Sequence, residues 1–316
     1  MPIIPIELCN ITIGITGYTG YIGHHLVKSL KNAGCNVLLI PRLGIKKTTN
    51  SNAIPVCEWN TPGDLANQLK SIENLVLVNL AGLFINDHSH HDLPKLIDAN
   101  LNYPLNIFEA LVNSRHKNII NIGTSWEYTD TGIPNPYNLY ANLKAANASA
   151  LKWYASRYPI CVTNLKLNDT YGGLDTRPKL MPLLKKKIES MEAVTLRNAS
   201  QKINLLHITD VIEGISAAIL ENTKLESHSS HTAFLLASET TTLNALIKKI
   251  NVDLGIKLDA LFENYNEELQ NLRGIWEAAP KLKNWSPRIN LNNGLQNYLG
   301  IKNEIQSKSI KFRRML

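Results

Sequence analysis

Short apolar runs alternate with longer amphipathic stretches through the first half of this chain. The runs are rich in isoleucine, leucine and valine, and turn-forming residues bound them, so they predict buried strands at 11–15, 35–40, 75–80, 118–122 and 160–167, with a weaker candidate at 53–59. The stretches between them carry apolar residues at helical spacing and predict helices at 22–30, 64–69, 93–112 and 140–154. Strands that alternate with helices favour a parallel sheet covered by helices on both faces.

The pattern loosens in the second half of the chain, after residues 171–173. Helices are predicted at 178–188, 210–220 and 242–254, and strands at 203–208 and 234–237. We therefore expect an α/β protein with a doubly wound parallel sheet over residues 1–167. A smaller domain is expected over residues 168–316, with segments near 203–220 returning to the sheet.

The first predicted strand runs directly into a glycine-rich turn and the start of a helix. Gly17, Gly20 and Gly23 follow the spacing G-x-x-G-x-x-G. This spacing permits a tight turn, lets the backbone approach a pyrophosphate and lets the helix pack against the strand. The helix N-terminus adds unpaired N–H groups and the positive end of its dipole. Because a strand precedes the turn and an amphipathic helix follows it, the stretch predicts a dinucleotide-binding site.

The end of the second strand bears on which dinucleotide binds. Proteins that bind NAD usually place an acidic residue there, about 20 residues past the glycine turn, to hold the ribose 2′-hydroxyl. Here the strand ends in Pro41-Arg42, without an acid. A guanidinium binds a 2′-phosphate that a carboxylate would repel. The sequence therefore favours NADP(H) over NAD(H), and the alternative is that Arg42 is a solvated loop residue.

Tyr140 and Lys144 form a candidate acid–base pair. They are four residues apart on a predicted helix, so both side chains lie on one face. An adjacent ammonium is expected to lower the pKa of the phenol from its ordinary value near 10. Tyr140 would then exchange a proton with a substrate oxygen while a hydride moves at the adjacent carbon. The alternative is an ordinary surface pair, but Thr124 and Ser125 end the preceding strand and favour the catalytic interpretation.

These motifs together resemble the extended short-chain dehydrogenases/reductases of the NAD(P)-dependent epimerase/dehydratase family. Each is short, but their order along nearly the whole chain is specific: TGYTGYIG at 16–23, NLAG at 79–82, Asn100, GTS at 123–125, Tyr140 with Lys144, YG at 171–172 and HITD at 207–210. The nearest pattern is that of the nucleotide-sugar 4-ketoreductases of the CDP-abequose synthase type. The resemblance implies a Rossmann domain that holds the cofactor and a small C-terminal domain that closes over a nucleotide-sugar.

The resemblance also implies roles for individual residues. Thr124 would hydrogen-bond the reacting oxygen, Tyr140 would be the acid, and Lys144 would lower the pKa of Tyr140 and bind ribose. The expected cofactor contacts are Gly17, Tyr18, Thr19, Gly20, Tyr21, Ile22, Arg42, Ala81, Gly82, Asn100, Tyr140 and Lys144. The expected substrate contacts are Thr124, Ser125, Trp126 and Asp169.

Three departures from the family pattern narrow the expected activity. Sugar 4,6-dehydratases carry Asp-Glu directly after the catalytic threonine, whereas this chain has Ser125 and Trp126. Glu127 stands one place further on and is not assigned a role. Ile203 stands where a diphosphate-binding arginine is frequent, and Asp169 where an asparagine is frequent.

The expected activity is NADP(H)-dependent reduction of a keto-sugar, at the 4-keto group of a nucleotide-activated deoxysugar. Two alternatives stay open at this point. The first is a nucleotide-sugar 4-epimerase with tightly bound NAD, which uses the same threonine, tyrosine and lysine. The second is a regulatory scaffold that senses NADP(H), for which an intact set of acid–base residues would have no use.

Composition and charge add little to what the motifs predict about ligands and location. The chain has 316 residues and a net charge of +7, which suits anionic ligands, but no nucleic-acid motif is visible. The absence of a membrane span, of a signal segment and of paired cysteines predicts a cytoplasmic protein that acts on a small molecule. His88, His90 and His91 predict an exposed loop and no metal site, and the sequence leaves a homodimer open. Solvated surfaces are expected for the basic clusters at 179–187 and 308–314.

Overall fold

A computed structural model describes residues 1–43, 54–225, 229–263 and 275–300 of the chain. Its strands are β1 (Thr12–Thr16), β2 (Asn36–Ile40), β3 (Leu75–Asn79), β4 (Asn118–Thr124), β5 (Cys161–Leu167), β6 (Asp169–Tyr171), β7 (Val194–Arg197), β8 (Lys202–His207), β9 (Ser230–Leu236), β10 (Thr240–Thr242) and β11 (Ala260–Glu263). Its α-helices are α1 (Tyr21–Asn32), α2 (Pro62–Lys70), α3 (Leu93–Ile97), α4 (Tyr103–Ser114), α5 (Leu139–Arg157), α6 (Leu180–Ser190), α7 (Ile208–Thr223), α8 (Leu243–Lys248) and α9 (Leu291–Leu299).

Six parallel strands form the central sheet in the order β2–β1–β3–β4–β5–β9. Their apolar side chains alternate between two buried clusters, one on each face. Helices α1 and α7 cover one face, and α2, α4 and α5 cover the other. The predicted Rossmann-type sheet is therefore confirmed.

The weak strand candidate at 53–59 is wrong as a strand. Val56 makes a single parallel bridge to Leu39 of β2, and the chain then leaves the sheet. Pro55 adjoins this bridge and has no backbone N–H, so it cannot extend a ladder in both directions. Residue 53 lies outside the described residues.

Two predicted helices are interrupted by single π-helical turns. The turn Asp98–Asn102 separates α3 from α4, and Lys249–Asp253 follows α8 directly. A single π-helical turn inserts a residue without ending the helix, so the sequence pattern reads as one helix in each place. The first turn lies beside the candidate site, because it carries the buried Asn100.

The segment after β5 divides between two layers. Strand β8 pairs in parallel with β6 and antiparallel with β10, in a separate three-stranded sheet. The strand at 203–208 therefore does not join the central sheet, whereas α7 packs on that sheet and β9 extends it beside β5. A domain boundary between residues 167 and 168 stays a prediction.

A row of buried amides crosses the central sheet beneath α5. The Thr16 hydroxyl donates to Asn79 Oδ1 at 2.7 Å, Asn79 Nδ2 donates to Asn121 Oδ1 at 2.8 Å, and Asn121 Nδ2 donates to Asn164 Oδ1 at 2.7 Å. All four side chains are fully buried or nearly so. Because a buried amide without a partner costs about 1–3 kcal/mol, this chain of bonds fixes the relative positions of β1, β3, β4 and β5. Those strands carry the glycine turn and Thr124.

Candidate active site

A cavity of about 380 Å³ opens at the carboxyl ends of the parallel strands. The glycine turn after β1, the loop after β3, the end of β4, helix α5 and the loop between β6 and α6 all contribute to its wall. The residues that line it are Gly17, Gly20, Tyr21, Ile22, Gly23, Leu80, Gly82, Leu83, Phe84, Ile122, Gly123, Thr124, Tyr140, Lys144, Leu167, Asn168, Asp169, Thr170, Arg177, Pro178 and Lys179. Ligands of doubly wound sheets bind at this end of the strands.

The glycine turn is shaped so that side chains have no room on its inner side. Gly17 has a φ of +62°, and a Cβ there would lie 2.7 Å from the carbonyl carbon of Leu80. A Cβ on Gly23 would lie 2.3 Å from the Gly17 carbonyl oxygen, so α1 packs directly on the turn. The result is a cradle of backbone at a helix N-terminus, which fits the pyrophosphate of a dinucleotide.

Some of the other predicted cofactor residues line the cavity, and others lie outside its wall. Asn100 holds the loop after β3: its Oδ1 accepts from Leu83 N at 3.2 Å, and its Nδ2 donates to Leu83 O at 3.0 Å. That loop contains Ala81 and Gly82, and a Cβ on Gly82 would lie 3.0 Å from Asn100 Oδ1 and from Lys144 Nζ. Five of the predicted residues do not form part of the cavity wall: Tyr18, Thr19, Arg42, Ala81 and Asn100. Arg42 is exposed just beyond the end of β2.

Lys144 is buried and points at backbone carbonyls. Its Nζ donates to Ala81 O at 2.8 Å and to Ile122 O at 3.0 Å. Burial lowers the pKa of Lys144 to about 8, with Lys166 acting in the same direction and Glu127 opposing it. The ammonium therefore ties the loop after β3 to the end of β4.

The pKa of Tyr140 is raised above its ordinary value, against the expectation from sequence. Burial is the largest cause, Glu127 and Asp169 add to it, and Arg177 opposes it. Lys144 supplies no lowering, since its ammonium is directed to the two carbonyls. Tyr140 is consequently protonated at neutral pH and stands in the form that donates a proton.

Glu127, which the sequence left without a role, fixes the backbone at Thr124. Its Oε1 accepts from Thr124 N at 2.9 Å, and its other oxygen forms a buried ion pair with Lys166. The Thr124 hydroxyl accepts from Trp126 N at 3.3 Å. Thr124 and Glu127 make a capping box, for which the spacing T-x-x-E in the sequence was an available signal.

An aromatic wall packs against Tyr140. The Phe84 ring contacts the Tyr140 ring edge-on, with 5.2 Å between the centroids, and it contacts the Trp126 ring in the same way at 5.5 Å. The Trp126 ring in turn contacts the Tyr137 ring at a centroid distance of 5.4 Å. Sequence reasoning missed Phe84, because a single phenylalanine in a loop carries no pattern.

Lys179 stands where the first cavity meets a second one of about 330 Å³. Its ammonium lies 3.4 Å from the Phe84 ring centroid and 3.5 Å from Asp169 Oδ1. The interpretation of Lys179 as part of a solvated surface is therefore wrong. Among the predicted substrate residues, Thr124 lines the first cavity, Trp126 the second, Asp169 both and Ser125 neither.

Within the described ranges, no group of three or more histidine, cysteine, aspartate or glutamate side chains is placed to hold a metal ion, and His88, His90 and His91 are exposed. No helix in the same ranges is long and apolar enough to cross a membrane. The basic cluster at 308–314 lies outside the described residues.

The fold and the glycine cradle define a nucleotide-binding Rossmann protein with a tyrosine and a threonine in the wall of the same cavity. Residues 13–230 match the NAD dependent epimerase/dehydratase family. The chain belongs to this family and is an NAD(P)-dependent enzyme of the extended short-chain dehydrogenase/reductase type.

Two sequence relatives and one solved structure show which kinds of enzyme the chain is similar to. The chain is 33% identical over 207 residues to CDP-abequose synthase of Yersinia pseudotuberculosis, an alignment that covers 64% of this chain and 71% of the relative. It is 24% identical to the CDP-abequose synthase of Salmonella typhimurium, over 66% of this chain and 70% of that one. Its fold is similar to that of Thermus thermophilus UDP-glucose 4-epimerase in complex with NAD, with a TM-score of 0.72 and 18% identity over 92% of this chain and 98% of the other.

Proposed function

We propose that this enzyme is an NADP(H)-dependent reductase that acts on the 4-keto group of a nucleotide-activated deoxysugar. The observation that carries the proposal is the pairing of a protonated Tyr140 with Thr124 in one cavity, next to Ser125 and Trp126, neither of which is an acid. Elimination of water from a sugar needs a proton acceptor and a proton donor beside the reacting carbons. Reduction of a ketone needs only a proton donor at the oxygen and a hydride donor at the carbon.

In the proposed reaction the bound nicotinamide cofactor supplies the hydride. Thr124 donates a hydrogen bond to the ketone oxygen and fixes its direction. Tyr140 transfers its proton to that oxygen as the carbon–oxygen double bond becomes a single bond, so the product is an alcohol. Lys144 would bind the cofactor ribose. To reach the ribose, its ammonium would turn away from the carbonyls of Ala81 and Ile122.

The names of the relatives and the shape of the cavity support the proposed substrate class. Two of the relatives are CDP-abequose synthases, which supports a CDP-linked sugar. The second cavity gives room for a nucleotide beyond the sugar, and it is lined by Leu180, Leu196, Arg197, Gln201 and Leu243 among others. Phe84 and Trp126 offer an apolar surface that suits the methyl and methylene groups of a deoxysugar better than hydroxyls.

Exchange of the cofactor separates this proposal from the 4-epimerase alternative, which the structural similarity to UDP-glucose 4-epimerase favours. A reductase releases its oxidised cofactor after each turnover, whereas an epimerase regenerates it in place. Protein purified without added cofactor and then denatured should release little dinucleotide. Stoichiometric NAD in that extract would favour the epimerase.

Arg42 is expected to set the preference for NADPH. A hydrogen bond to a charged partner is worth about 1.5–3 kcal/mol, and solvent screening at this exposed position favours the lower end. Arg42→Ala should therefore weaken NADPH binding about tenfold and leave NADH binding nearly unchanged. Fluorescence titration of both dinucleotides measures this directly, and an equal loss for both would remove Arg42 from 2′-phosphate recognition.

A further inference from the structure

A cation from the second half of the chain lies over the start of helix α1. Arg177 belongs to the loop between β6 and α6, and its guanidinium carbon is 3.8 Å from the ring centroid of Tyr21. Tyr21 is the first residue of α1, directly after Gly20. Arg177 lines the same cavity as Gly17 and Gly20. The guanidinium therefore faces the place where the glycine cradle would hold a pyrophosphate.

One edge of this guanidinium is fixed by the protein. Arg177 Nε donates to Asp175 Oδ1 at 2.8 Å, Nη2 donates to Asp175 Oδ2 at 2.7 Å, and Nη2 also donates to the Thr170 carbonyl at 3.0 Å. The Tyr21 hydroxyl donates to Gly172 O at 2.7 Å, so the stacking partner is held from the same loop. A group held on this many sides loses little further freedom when a ligand binds.

The opposite edge remains available to a ligand. Within the described part of the chain, Nη1 has no hydrogen-bond partner, and 26% of the Arg177 side chain is exposed. The glycine turn itself, residues 17–23, offers backbone N–H groups but contains no cationic side chain. A diphosphate carries two negative charges, and a guanidinium binds phosphate oxygens through charge-assisted hydrogen bonds.

We propose that Arg177 is a ligand of the cofactor diphosphate, supplied to the glycine cradle by the loop that leads to the substrate side. The same loop follows β6, which begins with Asp169, and it ends at Lys179, so bound cofactor would help to fix the position of both. The inference rests on the proposed dinucleotide site, but it does not depend on the sugar or on the choice between NADPH and NADH.

The test is equilibrium binding of NADPH and NADH to Arg177→Met, followed by fluorescence. Both dinucleotides contain the diphosphate, so both should bind at least tenfold more weakly. Arg177→Lys keeps the positive charge but lacks the planar fork of N–H donors. Its affinities for both dinucleotides should therefore lie between those of Arg177→Met and those of the wild type. Arg157→Met, which removes an exposed arginine at the C-terminal end of α5, is the matched control and should leave both affinities unchanged. Arg42→Ala gives the contrasting pattern, with a loss confined to NADPH.

The side chain of Asp175 is fully buried, so Arg177→Met leaves a carboxylate without its partner. The double variant Asp175→Asn/Arg177→Met removes that carboxylate charge and keeps the test valid if the single variant melts early. Weakened binding of both dinucleotides by the folded double variant supports the proposal. Wild-type affinity in either folded variant overturns it and leaves the proposed function intact. Failure of the wild type to bind either dinucleotide would overturn the proposed function as well.

Discussion

Replacement of Tyr140 by phenylalanine is expected to lower kcat by about 10²–10⁴-fold, because general acid catalysis contributes an effect of this size. The side chain lines the cavity with Thr124, and its raised pKa keeps the proton on the phenol at neutral pH. Phenylalanine keeps the ring that packs edge-on against Phe84, so the aromatic wall should survive. The measurement is steady-state turnover with NADPH, together with the dissociation constant of NADPH.

The affinity for NADPH should change little in this variant, which separates a lost proton donor from a damaged cofactor site. Tyr158→Phe is the matched control, because it removes a phenol from an exposed position at the end of the same helix. It should turn over like the wild type. A Tyr140→Phe enzyme with near-normal kcat would exclude Tyr140 as the acid.

The second large effect is expected at the buried pair Glu127–Lys166. The two side chains are 3% and 4% exposed, and Glu127 also accepts from the backbone of Thr124. Glu127→Gln leaves the Lys166 ammonium buried without a counter-charge, which typically costs about 3–5 kcal/mol. We expect a loss of this size in the free energy of unfolding, measured with a chemical denaturant. Since Glu127 raises the pKa of Tyr140 and of Lys144, both pKa values should also fall.

Two controls distinguish the buried pair from ion pairs in general. Glu192→Gln breaks an ion pair with Lys187 in which the Glu192 side chain is 60% exposed, and it should change stability by less than about 1 kcal/mol. The double variant Glu127→Gln/Lys166→Met removes the orphaned ammonium and should recover much of the lost stability. If the double variant recovers no stability, the contribution of Glu127 to the free energy of unfolding comes only from its hydrogen bond to the backbone of Thr124.

Elements with a strong local signal were predictable from the sequence. Strand β3, which is buried on both faces, is an apolar run between turn residues, and it forms where the pattern places it. The glycine turn is equally explicit, because Gly17 and Gly23 occupy positions where a Cβ would meet backbone. These features depend on short-range sterics and on burial, both of which leave a mark on the sequence itself.

Features that depend on distant contacts were not predictable. The role of Glu127 depends on Lys166, 39 residues away, and the direction of the Lys144 ammonium depends on one carbonyl of the loop after β3 and one of β4. The expected lowering of the Tyr140 pKa was wrong because helical spacing alone does not show burial. Arg177 and Lys179 lie in a loop without periodicity, and only the fold places their charges at the cavity.

The most direct test of the proposed function follows the product of a CDP-linked 4-keto-deoxysugar incubated with NADPH that carries deuterium at the transferred position. A reductase adds one deuteride from the cofactor to carbon 4 and one proton to its oxygen. The account predicts a product heavier than the substrate by one deuterium and one hydrogen, with one NADP⁺ formed per molecule. A product of unchanged mass, formed without net oxidation of NADPH, would contradict the reductase and establish an isomerisation instead.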